Sequence, residues 1–135
     1  MAGYSGTPLP QKLGLKSGWS ARVIGAPMDY LELLGDVPPG VIFGGDEPAD
    51  FVHLFVTHRQ DMLEHLAHLI EEIKPNGMIW VSWPKKSSKM PTDITEDVIR
   101  DVALPMGLVD VNVAAVTDIW SSLKLVIRKE NRPQS

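Results

Sequence analysis

The sequence predicts a single α/β domain whose sheet is mostly parallel and ends in an antiparallel hairpin. Short apolar runs, which suit buried strands, alternate along the chain with segments whose apolar residues recur at helical spacing. The last two apolar runs are instead separated by a short polar link, which favours a hairpin. The length of 135 residues is sufficient for one such domain with one hydrophobic core.

The elements predicted in the first third of the chain are short. A strand is predicted at residues 20–24, where Gly25 stops it. The helix predicted at residues 28–34 follows Pro27, since proline is well tolerated in the first turn of a helix. A Pro-Pro-Gly turn then leads into a second short strand at residues 41–43.

The remaining elements are longer and more strongly patterned. The clearest helix has apolar residues at helical spacing from Met62 to Ile73. Asp93, with Glu96 three residues later, resembles a capping box at the start of the next helix. The predicted strands are residues 51–56, 78–81, 109–116 and 123–128, and the predicted helices are residues 59–74 and 93–106.

These elements predict six strands in the order 2-1-3-4-6-5, with the last strand antiparallel to the others. The link at residues 44–50 tests this order. If the second and third strands both run parallel to the first, the link must cross the first strand, and it can do so only when nearly extended, without a helix.

Composition and charge exclude several classes of protein. The net charge of -4 argues against broad binding to nucleic acid or to anionic membranes, which requires a basic surface. The chain has no cysteine, so disulfides and thiolate chemistry are excluded. Neither a signal peptide nor a membrane span is apparent, and we expect a cytoplasmic protein. We expect residues 1–10 to be a flexible N-terminal arm, residues 11–130 the domain and residues 131–135 a tail.

Three stretches resemble class I methyltransferases, which depend on S-adenosylmethionine. Residues 13–18 with 22–25 resemble the lead-in and first strand of those enzymes, and residues 73–81 are similar to their Leu-Lys-Pro-Gly-Gly turn into a central strand. Residues 107–111 resemble their C-terminal end. The resemblance covers residues 13–129 as an order of elements and implies a single-domain, Rossmann-like fold.

A closer resemblance covers nearly the whole chain. Residues 3–9, 83–88 and 92–97 are similar to a small bacterial family of unknown function, whose members are short and methyltransferase-like. The resemblance implies a bacterial protein without an assigned activity.

The methyltransferase resemblance implies a cofactor site, and this sequence departs from it. Gly25 lies in the turn that would approach S-adenosylmethionine, and Asp46 lies near the place of the acid that binds the ribose. However, that turn has one glycine and then Pro27, and the segment between the second strand and Phe51 is too short for the usual helix–strand–helix. We therefore expect a shortened cofactor site that binds S-adenosylmethionine weakly or not at all, and no cofactor.

Ligands of open parallel sheets bind beyond the carboxyl ends of the strands. His58 follows a buried strand there and is the best-placed general base, although an exposed histidine at a helix start is the simpler interpretation. His65 and His68 have a spacing that can bind a metal, but no third ligand is evident, and we predict no metal site.

The loop after the fourth strand is the most unusual stretch of the chain. We call residues 85–89 the lysine loop, because three of its five residues are lysine. One interpretation is a solvated surface loop. The other is a site for a small anion at a helix N-terminus, with a tryptophan that could stack on a flat ligand. Its candidate ligand-binding residues are Trp83, Lys85, Lys86, Ser87 and Ser88.

Three functions remain open from the sequence. The first is a module for small-molecule or anion binding or for regulation, on a shortened methyltransferase-like scaffold, as a monomer or a homodimer. The second is an enzyme, either a minimal methyltransferase or another transferase. The third is a structural interaction protein, because ten acidic residues and one basic residue lie between Asp29 and Glu72. The departures at the cofactor turn favour the first over the second.

Overall fold

The computed structural model describes residues 7–131, which contain one six-stranded sheet with helices on both faces. The strands are β1 (Ser20–Ile24), β2 (Ile42–Phe43), β3 (Ala49–Phe55), β4 (Ile73–Pro84), β5 (Leu108–Ala115) and β6 (Trp120–Ile127). The α-helices are α1 (Leu9–Leu13), α2 (Tyr30–Leu34), α3 (Arg59–Glu72) and α4 (Glu96–Ala103).

The predicted fold class and strand order are confirmed. The order in the sheet is β2-β1-β3-β4-β6-β5, with β2, β1, β3 and β4 parallel. β6 lies antiparallel between β4 and β5, so the last strand is the one that reverses direction. Residues 44–48 contain no helix, and this link crosses β1 as the predicted topology requires.

The division into arm, domain and tail stays a prediction. Residues 1–6 of the predicted arm and 132–135 of the predicted tail lie outside the described residues. α1 begins at Leu9, two residues before the predicted domain boundary, and buries Pro10 and Leu13.

The larger core lies on the face of the sheet that α3 and α4 cover. α3 buries Met62, Leu66 and Leu69, which recur at the helical spacing seen in the sequence. Each such side chain contributes about 1.5–3 kcal/mol when it is withdrawn from water. The strand residues of this core alternate with those of the other face and include Val52, Leu54, Ile79, Val81, Leu123 and Leu125.

The opposite face is covered by the two short helices α1 and α2. Trp80 is buried on this face, and its indole N–H donates to the carbonyl of Leu13 over 2.8 Å, which ties α1 to β4. α2 brings Tyr30 and Leu34 into contact with Phe55. This face therefore contains more aromatic and polar side chains than the other.

β4 is longer than predicted and includes the Pro-Asn-Gly sequence that we expected to lie outside it. Ala49 pairs with Ile73 and Phe51 pairs with Met78, so four residues of β4 bulge out between the two pairs. A Cβ atom on Gly77 would lie 2.9 Å from the carbonyl oxygen of Ala49, and glycine is needed where this bulge closes against β3.

The capping box predicted at Asp93 and Glu96 is wrong. α4 begins at Glu96, and its cap is Thr95, whose hydroxyl accepts the backbone N–H of Val98 over 3.2 Å. The carboxylate of Asp93 instead accepts the backbone N–H of Arg59 over 2.7 Å, at the start of α3. Asp93 therefore stabilises the start of α3 rather than the start of α4.

The segment before α4 is held against the turn between β3 and α3, which explains why Asp93 reaches α3. The hydroxyl of Thr92 donates to the carbonyl of Thr57 over 2.6 Å and accepts the backbone N–H of Ile94 over 3.0 Å. The backbone N–H of Asp93 also donates to the carbonyl of Thr57. These bonds fix the chain beside the N-terminus of α3, where a carboxylate is favoured by the helix dipole.

Candidate functional site

The carboxyl ends of β1, β3 and β4 meet at one edge of the sheet, as the parallel order requires. Gly25 follows β1, Thr57 and His58 follow β3, and Lys85 follows β4. The hairpin between β5 and β6 closes the same edge, since the backbone N–H of Lys85 donates to the carbonyl of Ile119 over 2.7 Å.

The turn at Gly25 packs tightly against β3. Gly25 has a φ of +71°, and a Cβ atom built on it would lie 2.6 Å from the carbonyl oxygen of Phe55. Real Cβ atoms do not approach an oxygen so closely, so this position requires glycine on two grounds. Close packing against β3 is therefore sufficient to explain the glycine at position 25, where the sequence predicts an approach to a cofactor.

Gly25 and Asp46, the two predicted cofactor-binding residues, lie at different ends of β1. β2 pairs only with the first two residues of β1, and it ends at Phe43, level with Ala21. The link then turns back, and Asp46 lines a cavity beside Ser20 at the amino end of β1. The structure therefore does not bring the two residues together at the carboxyl edge.

A hydrogen-bonded chain of three buried side chains lies beneath the carboxyl edge. The Tyr30 hydroxyl is 2.8 Å from Nδ1 of His53, and Nε2 of His53 is 2.7 Å from the Ser82 hydroxyl. A neutral imidazole has one donor and one acceptor nitrogen, so the two hydroxyls satisfy both. Burial lowers the pKa of His53 to about 3 and raises the pKa of Tyr30.

Aromatic side chains surround His53 and fill the space between α2 and the sheet. The rings of His53 and Phe55 are stacked, with centroids 4.3 Å apart. Tyr30 and Trp120 meet Phe55 edge-on, at 5.6 and 5.1 Å. No spacing in the sequence connects His53 to Tyr30 or Ser82.

Trp83 does not lie on the surface of the candidate site. It occupies the same face of β4 as Ile79 and Val81, and its side chain is only 9% exposed within the core beneath α3 and α4. This placement removes the indole from the surface on which we expected a flat ligand to stack. The physical reason is the two-residue alternation of the strand, which continues as far as Pro84.

The lysine loop is a closed turn with an exposed outer surface. The hydroxyl of Ser88 donates to the carbonyl of Lys85 over 2.6 Å and accepts the backbone N–H of Met90 over 3.2 Å. Ser88 is therefore occupied in closing the loop. Lys86 and Ser87 are exposed, and within residues 7–131 no carboxylate forms an ion pair with a lysine of this loop.

The N-terminus of α4 is not open to an anion. Thr95 caps it, and Glu96 and Asp97 add two carboxylates to its first turn. Arg100 pairs with both of these carboxylates and with Asp110. The two carboxylates would repel an anion. The N-terminus of α4, which we expected to contribute to an anion site at the lysine loop, is therefore not available to an anion.

His58 lies at the carboxyl edge, one residue before α3 begins. Its side chain is exposed and forms no hydrogen bond or ion pair within the described part of the chain. Its role as a general base stays a prediction.

Across residues 7–131, no three histidine, aspartate or glutamate side chains are grouped so that they could hold a metal ion. None of the helices described there is long and apolar enough to cross a membrane.

A family model matches most of the chain. Residues 44–129 match the family described as "Protein of unknown function (DUF3052)". The chain belongs to this family. No curated protein matches the sequence closely enough to count as a relative. The resemblance to a family of unknown function, noted from the residues, is thereby confirmed.

Solved structures with a similar fold include several methyltransferases. A putative type 11 methyltransferase from Sulfolobus solfataricus has a TM-score of 0.61 at 14% identity, covering 93% of each chain. An S-adenosylmethionine-dependent methyltransferase from Aquifex aeolicus has a TM-score of 0.58 at 16% identity, covering 87% of each chain. A ribosomal protein L11 methylase from Lactobacillus delbrueckii subsp. bulgaricus has a TM-score of 0.58 at 8% identity, covering 87% of this chain and 74% of the other. At these identities the likeness establishes a methyltransferase-like fold.

Proposed function

We propose that this protein is a binding or regulatory module, without methyltransferase activity, that takes a small anion at its lysine loop. The observation that carries the first part is the turn at Gly25, which is closed against the carbonyl of Phe55. The second part rests on the lysines, which lie at the carboxyl edge of the sheet without a carboxylate partner among residues 7–131.

The residues at the carboxyl edge do not fit S-adenosylmethionine. Gly25 has no space on the side of β3, and the short β2 does not bring Asp46 to this turn. The aromatic side chains of Tyr30, Phe55 and Trp120 occupy the space beneath that edge. A cofactor of this size needs a preformed concave site, so these features favour a scaffold that has lost the cofactor.

An anion would be held by side chains of the lysine loop rather than by a helix end. Ser88 keeps the loop closed. Lys85, Lys86 and Lys89 all belong to its five residues. Three ammonium groups at this spacing repel one another, and a bound anion relieves that repulsion. Ser87 is exposed on the same turn and can donate its hydroxyl to the anion.

The test of the anion site is a phosphate titration followed through backbone amide shifts by NMR. We expect saturable shifts centred on Ser87 and its neighbours, and their loss in the double variant Lys85→Ala/Lys86→Ala. Lys129→Ala, which removes an exposed lysine elsewhere, is the matched control and should leave the shifts unchanged. Small uniform shifts that are equal in all three proteins would identify the loop as solvated surface charge.

The alternative function is a minimal methyltransferase, which the fold likeness to methyltransferase structures favours. Calorimetry with S-adenosylmethionine and with its demethylated product separates the two proposals. We expect no heat of specific binding from either compound. A dissociation constant in the low micromolar range would reject our proposal and establish that the edge opens to admit the cofactor.

A further inference from the structure

The strand β5 forms one edge of the sheet, and side chains occupy its outward-facing backbone groups. The side chain of Asn112 accepts the backbone N–H of Val113 over 3.0 Å, and the ammonium group of Lys12 donates to the carbonyl of Ala115 over 2.9 Å. The strand also has a bulge after Asp110. Bulges and charged side chains of this kind keep an edge strand from pairing with another chain.

The carboxyl half of β1 forms part of the other edge, and its backbone groups are not occupied in this way. The carbonyl of Ala21 accepts the backbone N–H of Gly44 over 3.0 Å, so the backbone groups of Ala21 face β2. Alternate residues of a strand face the same neighbour, so the N–H and C=O of Val23 point to that side as well. β2 has already ended at Phe43, and within residues 7–131 the two groups of Val23 form no hydrogen bond.

This pair of backbone groups is suited to an extended chain. A strand that exposes both an N–H and a C=O on one side can form ladder bonds with an added strand, which is a common mode of peptide recognition. β2 pairs with only the first two residues of β1, so no strand of the described chain lies beside residues 22–24 on that side. An added strand would continue the sheet beyond the end of β2.

Exposed apolar side chains lie on this side of the sheet. Leu33 lines a depression together with Ile119 and Trp120 of the hairpin between β5 and β6. Two residues correspond to about 200° around a helix, so Leu31 points away from the hairpin and towards the side where β2 lies. Leu31 is 68% exposed, and Ile42 in β2 is 63% exposed. A strand added to β1 would have apolar surface to cover on both of these elements.

The charge around this edge favours a basic partner. No lysine or arginine lies between Val23 and His58. The acidic residues Asp29, Glu32 and Asp36, on and beside α2, are exposed and form no ion pair within residues 7–131. A second copy of this chain would bring the same acidic residues against one another, so charge disfavours pairing of two copies here.

We propose that the carboxyl half of β1 binds an extended, basic segment of a partner protein, which adds a strand to the sheet. The segment forms ladder bonds with the N–H and C=O of Val23 and covers the apolar side chains of Leu31 and Ile42. This surface is independent of the lysine loop, because that loop follows β4, two strands away, and takes a ligand of the opposite charge.

The test uses a synthetic hexapeptide, Lys-Val-Lys-Val-Lys-Val, with acetylated and amidated ends. It is titrated into the protein at constant ionic strength while backbone amide shifts and hydrogen exchange are recorded by NMR. We expect saturable shifts centred on Val23, and exchange of the Val23 amide that is about tenfold slower or more at saturation. The absence of saturable shifts, or shifts without slower exchange at Val23, would overturn the proposal.

Two further peptides separate backbone pairing from charge. One is the same hexapeptide methylated on its backbone nitrogens, which keeps the charge but cannot form the ladder bonds. The other is Glu-Val-Glu-Val-Glu-Val, which reverses the charge. We expect neither to bind, and equal binding of either one would contradict the proposal. Exchange at Val23 that slows as the protein concentration rises, without peptide, would identify a second copy as the occupant and reject a basic partner.

Two variants locate the surface. Leu31→Ser removes an exposed apolar side chain from α2 and should weaken binding of the hexapeptide by about fivefold. Val111→Ser removes a similarly exposed apolar side chain from β5, at the other edge of the sheet, and is the matched control. It should bind as wild type does. Equal affinities of the two variants would show that the peptide does not cover α2, and the proposal would fail.

Discussion

Replacing Gly25 by alanine tests whether the turn after β1 is closed against β3. The substitution has two costs. An L-residue in the left-handed region, at the φ of +71° observed here, costs roughly 1–2 kcal/mol. The added Cβ would also lie 2.6 Å from the carbonyl oxygen of Phe55, so the ends of β1 and β3 must separate. Overpacking of this kind costs roughly 1–3 kcal/mol.

The expected loss from Gly25→Ala is therefore about 2–5 kcal/mol, a large part of the roughly 5–15 kcal/mol typical of a domain. Gly18→Ala is the matched control. Gly18 has a φ of +74°, but a Cβ atom there would meet nothing within 4 Å. Its replacement should cost only the backbone term of about 1–2 kcal/mol.

Urea unfolding of the two variants and of wild type, with the free energy extrapolated to water, provides the measurement. The difference between Gly25→Ala and Gly18→Ala isolates the contact with Phe55, since both variants share the backbone cost. Equal losses would show that the turn moves away from β3 easily, and that the contact with Phe55 does not keep a cofactor out.

Two further predictions concern His53 and the helix caps. Because burial holds the pKa of His53 at about 3, below its unfolded value of about 6.5, the unfolded chain binds more protons between these values. Unfolding free energy should therefore fall by about 2 kcal/mol more in wild type than in His53→Phe between pH 7 and pH 5, as measured by urea unfolding at each pH. Asp93→Ala should speed hydrogen exchange at the amide of Arg59, and Thr95→Ala at that of Val98, each with a loss of about 1 kcal/mol. Faster exchange at Glu96 in Asp93→Ala would instead support the capping box that the sequence predicts.

The order of strands could be predicted because it depends on patterns that are local in sequence. Each strand is a short apolar run, and each connection has a length that permits few topologies. The absence of a helix in the link at residues 44–48 follows from that same geometry, because so short a link could not cross β1 if part of it were coiled into a helix. The burial of Trp83 was predictable on the same grounds, since it shares its parity with Ile79 and Val81.

The contacts that define the candidate site could not be predicted, because they join residues far apart in the chain. Tyr30, His53 and Ser82 are each unremarkable in their own segments, and only the packing of α2 onto β3 and β4 brings them together. Asp93 was assigned to its own helix because capping boxes are recognised by local spacing. The hydrogen bond from Thr92 to the carbonyl of Thr57, which holds Asp93 near the start of α3, has no such local signature.

The short length of β2 affects the structure at both ends of β1. Because β2 ends level with Ala21, it leaves the carboxyl half of β1 without a neighbouring strand on that side, where a cofactor's ribose would need an acid. The link must then run back past the amino half of β1 to reach the start of β3 at Ala49. That return places Asp46 and Glu47 along the cavity that Ser20 also lines. The short length of β2 thus accounts for the position of Asp46 at the amino end of β1, away from Gly25.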